Sequence, residues 1–364
     1  MRVKIYGAGS IGNHLANASR QLGWNVDICD VDGAALERTR TEIYPQRYGS
    51  WDESIGLFYN DDAPRGCYDL IFIGTPPDCH MKLALQALEE GVRALLVEKP
   101  FCTPDLAGAE KLLELSRHKN TPVFVGYDHA VGKAAEQFAA SVQRAEIGKW
   151  QTLDVEFREH WGGIFAAHPW LTGPKESYLA YWRRGGGATC EHSHAINLWQ
   201  HFALQIGVGR VVHVQALMDF VQDNSIDYDK ICMLQMRTDS GFVGRVVQDV
   251  VTKPPLKWAR AQGNNGYVEW RCGYAPGVDA VFEGANQSQN EQHLFPKTRP
   301  DDFIQELKHI ATALAGNPAD SPLYIDRGLD TMLVIAAAFE SAHSGRSVNI
   351  DYAAGYKLSA LNIN

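Results

Sequence analysis

The sequence predicts an α/β fold in two parts: a doubly wound parallel sheet followed by a domain with a large, mainly antiparallel open sheet. Three observations carry this. Short apolar runs alternate with helical stretches over the first third of the chain, which makes βαβ units. A buried run, Ala94-Leu95-Leu96-Val97, ends abruptly in Glu98-Lys99-Pro100, delivering two charges to a strand's carboxyl end. That edge is where open α/β sheets bind their ligands. Beyond residue 150 the strands lengthen and partly alternate between apolar and polar positions, as in an antiparallel sheet with one face free.

The elements follow in order. Val3 to Tyr6 reads as a strand and Ile11 to Leu22 as a helix stopped by Gly23. Asn25 to Asp30 and Asp69 to Gly74 are strands, with a helix from Cys79 to Glu90 ended by Gly91. After Ala94 to Val97, Thr103-Pro104-Asp105 offers a capping threonine and a first-turn proline for a helix running to Lys119. Pro122 to Gly126 closes the series, and Lys133 to Ile147 reads as a helix. Thr152–Arg158, Arg210–Phe220, Lys230–Arg237 and Phe242–Val250 are the longer strands, and Asp302–Ala315 and Gly328–Ser344 two late helices. The domain boundary falls at 127/128, giving a ligand-binding domain over 1–127 and a substrate-binding and oligomerisation domain over 128–364.

Composition narrows the partners. The chain has 364 residues, 45% hydrophobic and 21% charged, the balance of a globular protein large enough for two domains. A net charge of −9 with no basic cluster argues against nucleic acid, and no run is apolar enough for a membrane span. The seven cysteines are scattered without Cys-x-x-Cys spacing, so a reducing cytoplasm is expected. The N-terminal residues run straight into a strand, so no signal peptide is expected. A small molecule is the expected partner.

Gly7-Ala8-Gly9-Ser10-Ile11-Gly12 is G-x-G-x-x-G placed between a strand and a helix, with Asp30 at the end of the next strand. Gly7 permits the turn, Gly9 a close approach to a pyrophosphate, and Gly12 close packing of helix on strand. The N–H groups at Ser10 and Ile11 open a helix whose positive end favours phosphate. Asp30 would accept bonds from ribose hydroxyls, and its charge disfavours a 2′-phosphate, so NAD is expected over NADP. Thr75-Pro76-Pro77 ends a strand at the same edge, either as a wall beside the cofactor or as a plain strand-to-helix turn.

A hydride transfer at a carbinol carbon needs a base for the hydroxyl proton. Gly185-Gly186-Gly187-Ala188-Thr189-Cys190-Glu191-His192-Ser193-His194 supplies a paired carboxylate and imidazole behind glycines that let the chain pass close to a ligand or another backbone. On a helix beginning near Thr189, Glu191 and His194 share a face while His192 and Ser193 point elsewhere. That also disfavours a zinc site built from Glu191, His192, His194 and His201, and no metal is expected.

These motifs occur in one order: Gly7-x-Gly9-x-x-Gly12, Thr75-Pro76-Pro77 with His80, Glu98-Lys99-Pro100, Gly126-Tyr127-Asp128-His129, and the glycine run into Ser193-His194. With the strand entry Gly263-Asn264-Asn265-Gly266-Tyr267-Val268-Glu269 and the closing segment Ala336 to Arg346, the set resembles the glucose-fructose oxidoreductase / inositol dehydrogenase / rhizopine catabolism (Gfo/Idh/MocA) family over nearly the whole chain. The resemblance implies a Rossmann domain, a C-terminal sheet used for homodimer or homotetramer contacts, and NAD(P)-dependent oxidation or reduction of a sugar, polyol or sugar derivative. It assigns Lys99 to polarising the substrate oxygen, His194 to accepting the proton and Glu191 to orienting or charge-balancing the site. Thr75, Pro76, Pro77, His80, Glu98 and Lys99 join the glycine loop and Asp30 as the cofactor set, Glu98 either touching the ribose or holding the turn. The chain departs from the usual pattern in spacing acid and histidine three apart, in using glutamate, and in carrying Asn197 where an aspartate is common.

The segment from Arg158 to Arg184 is rich in aromatic and basic residues, and with His129 it supplies the candidate substrate contacts Trp161, Arg183 and Arg184. Aromatic faces suit a sugar ring and guanidinium groups suit a carboxylate or phosphate, which points to an acidic or nucleotide-linked sugar; the alternative is a loop packed on the sheet. Two other classes fit the same motifs: an NAD-dependent glycosidase working by transient ring oxidation, and a non-catalytic NAD-binding protein.

Overall fold

Six apolar segments pair in parallel: β1 (Arg2–Tyr6), β2 (Asn25–Asp30), β3 (Gly56–Tyr59), β4 (Leu70–Ile73), β5 (Ala94–Glu98) and β6 (Val123–Gly126). Their order, β3-β2-β1-β4-β5-β6, runs outward in both directions from β1 and puts the switch point between β1 and β4. The strands β4, β5 and β6 are buried throughout, as parallel strands covered on both faces must be. The half-exposed edge strand β3 lacks that signal in its sequence.

The computed structural model describes residues 1–143, 147–166, 168–223, 225–285 and 291–364. Two compact units divide the chain. The first unites Met1–Cys102 and Gly108–Asp128 with a late segment, Arg299–Gly328. Within it the helix Arg299–Ala315 packs on the helix Ser10–Gln21, where Phe303 stacks on His14 at 4.6 Å and Tyr48 Oη meets His14 Nδ1 at 2.6 Å. Val125 N–H donates to the carbonyl of Leu323 at 2.8 Å.

The helix expected from Thr103 starts only at Ala109. Thr103 Oγ1 bonds the Asp105 carboxylate in a turn, and Leu106 and Gly108 take φ of 59° and 83°, outside any right-handed helix. The helix from Lys133 ends at Val142, and residues 144–146 of its expected span lie outside the described residues.

The second unit holds Thr103–Ala107, His129–Thr298 and Leu329–Asn364. Its sheet contains β7 (Trp150–Arg158), β8 (Val211–Asp223), β9 (Ile226–Thr238), β10 (Val243–Asp249), β11 (Leu256–Gly263), β12 (Gly266–Ala275), β13 (Val278–Ala285), β14 (Glu291–Pro296), β15 (Val348–Ile350) and β16 (Leu361–Ile363). The order is β14-β13-β12-β11-β7-β10-β9-β8-β15-β16, antiparallel except where β7 and β10 pair in parallel. The helix His194–Gln205 covers one face, where Trp199 Nε1 donates to the Leu153 carbonyl at 2.8 Å. The register puts Leu217, Met233 and Val247 in line with Glu156, and Arg245 in line with Asp154, Arg260 and Glu269, on the opposite face. There Arg245 pairs with Asp154 and Glu156, and Arg260 and Arg271 share Glu269.

Candidate functional site

The first unit builds a cradle from the end of β1. Gly7, at φ 107°, donates to the Cys29 carbonyl, and Gly74 donates to the Tyr6 carbonyl, both at 2.8 Å. A Cβ on Gly12 would sit 1.9 Å from the Gly7 carbonyl oxygen, so the helix lies on the strand turn as only glycine permits. A Cβ on Gly9 would meet nothing within 4 Å. That open space stands over a helix start with no side-chain cap, where N–H groups await an acceptor. These features fit a bound pyrophosphate.

Asp30 turns its carboxylate onto the same loop, accepting from Ala8 N–H at 2.7 Å and Asp32 N–H at 3.0 Å. Both oxygens are oriented, and each keeps a lone pair for a further donor. Arg40 is exposed and ion-paired with Glu53 at 3.8 Å. Three residues that sequence reasoning missed brace the loop from behind. Asn13 Nδ2 donates to the Gly9 carbonyl at 2.8 Å, Thr39 Oγ1 to the Ala8 carbonyl at 2.6 Å, and Arg47 to both Ser10 O and Ser10 Oγ. Asn13 follows the last motif glycine directly and could have been suspected. Thr39 and Arg47 carry no local signal.

The turns after β4 and β5 are tied together by His80. Its ring is fully buried, with Nε2 2.7 Å from the Thr75 carbonyl and Nδ1 3.1 Å from the Pro100 carbonyl. Thr75-Pro76-Pro77 and Lys99-Pro100 are thus held in one register by a single imidazole. Burial lowers that imidazole's pKa, and its hydrogen bonds to the Thr75, Phe101 and Pro100 carbonyls oppose the shift.

Glu98 is buried at the base of this turn, and the backbone N–H of Lys99 donates to its Oε2 at 3.3 Å. Gly126 stands opposite in the register, and a Cβ there would come within 2.8 Å of the Glu98 carboxyl. Burial, then the neighbouring Asp128, pushes Glu98 up to about 8. Nearby, Glu306 of the late helix is 1% exposed, and neither carboxyl oxygen has a hydrogen-bond partner. Burial and the charges of Glu98 and Asp128 hold it well above the ordinary carboxylate range.

A pH dependence follows with a definite sign. Both acids keep protons in the folded protein that the unfolded chain would release. The stability this confers is complete below the ordinary value of 4.5 and drains away as pH rises, for Glu98 through about 8 and for Glu306 well above the ordinary carboxylate range. Glu306→Met, which removes an unsatisfied buried acid at similar volume, should raise Tm by roughly 5 °C at pH 8. The gain should be clearly smaller at pH 5. Thermal denaturation at both values checks this, and an equal gain at both would mean that Glu306 does not titrate in this range.

In the second unit, the glycine run meets another backbone. A Cβ on Gly186 would lie 2.2 Å from the Tyr178 carbonyl oxygen. The expected single helix is two: Gly187–Glu191, then His192 and Ser193 as a break, then His194–Gln205. Glu191 ends the first helix and His194 begins the second, both half-buried, while His192 and Ser193 are buried. The His194 ring lies edge-on to His129 at 4.8 Å and parallel to Phe157 at 6.3 Å. His129 also meets Phe157 of β7 and Trp270 of β12, so one imidazole joins His194 to the aromatic side chains of the sheet. Asn197 bonds Thr331 Oγ1 at 3.2 Å.

The tentative substrate residues separate. Trp161 is buried in an apolar cluster with Leu179, Ala188, Tyr228 and Val250. Arg183 is exposed, stacked over Trp182 at 4.3 Å and paired with Asp227 at 2.7 Å. Arg184 lies over the Tyr181 ring at 5.8 Å. Of the four, only His129 is in ring contact with His194.

A family model described as the oxidoreductase family with an NAD-binding Rossmann fold (Gfo/Idh/MocA) matches residues 1–127. Solved structures match nearly end to end. An oxidoreductase from Agrobacterium radiobacter, in complex with NAD+, L-tartaric acid and magnesium, is 19% identical, with a TM-score of 0.74 over 96% of this chain and 98% of that one. Levoglucosan dehydrogenase in complex with NADH and levoglucosan is 17% identical, with a TM-score of 0.75 over 96% and 99%. The WlbA dehydrogenase from Bordetella pertussis, in complex with NADH and UDP-GlcNAcA, is 18% identical, with a TM-score of 0.70 over 96% and 98%. At these identities the likeness is one of fold.

Proposed function

From residues 1–127, which belong to the Gfo/Idh/MocA family of NAD-binding oxidoreductases, we infer that this protein is an NAD-dependent oxidoreductase acting on a hydroxyl or keto carbon of a sugar, polyol or sugar derivative. The observation that carries the reading is the cradle at Gly7 to Gly12 with Asp30 turned onto it. The sugar class is supported by the levoglucosan and UDP-GlcNAcA complexes of proteins with the same fold.

When bound, NAD supplies the hydride acceptor. The chain's own residues do the rest. Backbone N–H groups at Gly9, Ser10 and Ile11 take the pyrophosphate, and Asp30 takes the adenosine ribose hydroxyls. Thr75, Pro76, Pro77 and Glu98 flank the cofactor on a turn that His80 holds in shape. Lys99 polarises the substrate oxygen, His194 takes the hydroxyl proton, and Glu191 balances the resulting charge. His129, in ring contact with His194, is the best supported of the substrate residues; Trp161, Arg183 and Arg184 complete the set. The open face of the second unit's sheet, with Leu217, Met233 and Val243 exposed beside paired charges, suits a homodimer or homotetramer contact.

The test is a screen of sugars, polyols, acidic sugars and nucleotide sugars with NAD and with NADP, read at 340 nm. Turnover is expected with NAD, and at least about tenfold less with NADP, since Asp30 would face a 2′-phosphate. Turnover with NADP alone would overturn the role of Asp30. NAD binding without turnover of any substrate class would favour a non-catalytic protein.

A further inference from the structure

The break between the helices Gly187–Glu191 and His194–Gln205 is not held by ordinary helix bonding. Ser193 N–H reaches back to the Cys190 carbonyl at 3.2 Å and Ala195 N–H to the His192 carbonyl at 2.8 Å, both three residues back. The usual i−4 partner of Ser193, the carbonyl of Thr189, is therefore released from the ladder. Two buried side chains from the sheet take over. Gln248 of β10 donates from Nε2 to the Thr189 carbonyl at 3.2 Å and the His192 carbonyl at 2.6 Å. Asp229 of β9 accepts at Oδ2 from Thr189 N–H at 2.8 Å and Thr189 Oγ1 at 2.7 Å. The backbone N–H, the hydroxyl and the carbonyl of Thr189 each bond one of these two residues.

We propose that Asp229 and Gln248 are positioning residues that set the relative placement of Glu191 and His194, an inference that rests on the oxidoreductase reading above. Both are 0% exposed, and each side chain makes two hydrogen bonds to this turn. Each leaves its other oxygen, Asp229 Oδ1 and Gln248 Oε1, buried without a partner, a cost that an apolar core would avoid. The fit is tight on the backbone side as well. Gly187 has φ 79°, and a Cβ on it would stand 1.9 Å from Asp229 Oδ1, so the carboxyl closes against a bare Cα. The clamp thus fixes both ends of the turn: Gly187 and Thr189 before Glu191, and His192 just ahead of His194.

Gln248→Leu and Asp229→Val test this, with Asp229→Asn as the conservative partner, since an amide oxygen can accept the same two bonds. Four quantities are read on the full-length protein: Tm, NADH affinity by fluorescence, kcat and KM on a substrate from the screen, and the His194 ring resonance in 13C-histidine-labelled protein, assigned with His194→Asn. Gln248→Leu and Asp229→Val should lower kcat about a hundredfold through misplacement of the base, with KM and NADH affinity within about twofold of wild type. The His194 resonance should shift in both, and Asp229→Asn should restore kcat and resonance toward wild type. Unchanged kcat and an unmoved resonance in folded Gln248→Leu and Asp229→Val would overturn the proposal. If no substrate turns over in wild type, the oxidoreductase reading fails, and the resonance alone still decides whether the clamp positions His194.

Discussion

Lys99→Met and His194→Asn should each cut turnover of a screen-positive substrate by about a hundredfold to ten-thousandfold, while NADH affinity stays close to wild type in His194→Asn and falls far less than turnover in Lys99→Met. The two losses have different chemical origins. Methionine keeps most of the lysine stem's volume but removes the ammonium, so the substrate oxygen loses its electrostatic partner as its charge changes. Asparagine keeps a polar side chain beside His129 and Phe157 but cannot carry a proton near neutral pH. The backbone around both positions is set by other residues. The turn at Lys99 is braced by His80 and the Glu98 carboxyl, and the start of the helix at His194 by Gln248. Neither substitution should therefore unfold its unit. The separating measurement is kcat by absorbance at 340 nm alongside NADH fluorescence titration. Full turnover in either variant would remove that residue from the mechanism.

How legible this was in the sequence depended on whether a feature is local. The parallel strands announced themselves because burial on both faces demands unbroken apolar runs such as Leu70–Ile73 and Ala94–Val97. The glycine loop was legible because each glycine's role is fixed by its distance along the chain from a strand and a helix. The strands β11, β13 and β14 were not read, and β12 only at its entry, Gly263 to Glu269; open-face positions of β11 and β12 carry Trp258, Arg260, Glu269 and Arg271, and the charge pairing that makes those residues suitable appears only across strands. The placement of Arg299–Ala315 in the first unit has no sequence signal: an amphipathic helix shows which face it buries, not what it buries it against. The same limit hid Arg47, Glu306, Asp229 and Gln248. Each acts on a segment far away in the chain, so no spacing rule reaches it. The break at His192–Ser193 also escaped, because glutamate and histidine three apart read as one helical face whether or not the helix continues.

Gly12→Ala and Gly9→Ala, two substitutions of the same kind three residues apart, should fail in different ways. At Gly12 the new methyl would sit 1.9 Å from the Gly7 carbonyl oxygen and 3.0 Å from its carbon. Both are backbone, so no rotamer can relieve the contact, and the helix Ser10–Gln21 must lift off the strand turn. Overpacking of this kind costs about 3 kcal/mol, the upper end of the usual range, because backbone cannot move aside. The Tm of the first unit should fall by roughly 10 °C, and NADH binding should be lost with the shape of the loop. At Gly9 the backbone is already in the extended region, at φ −83° and ψ −164°, and a methyl would meet nothing within 4 Å. The fold should accept it with almost no change in Tm. The space it fills, however, is the space over the uncapped helix start, where the pyrophosphate must come close to the backbone N–H groups. NADH should bind about tenfold more weakly or worse, the loss of a charge-assisted hydrogen bond or two. Thermal denaturation paired with NADH titration on both variants distinguishes packing from binding. Wild-type NADH affinity in Gly9→Ala would mean that the cofactor does not cross this loop, and the assignment of the cradle would fall with it.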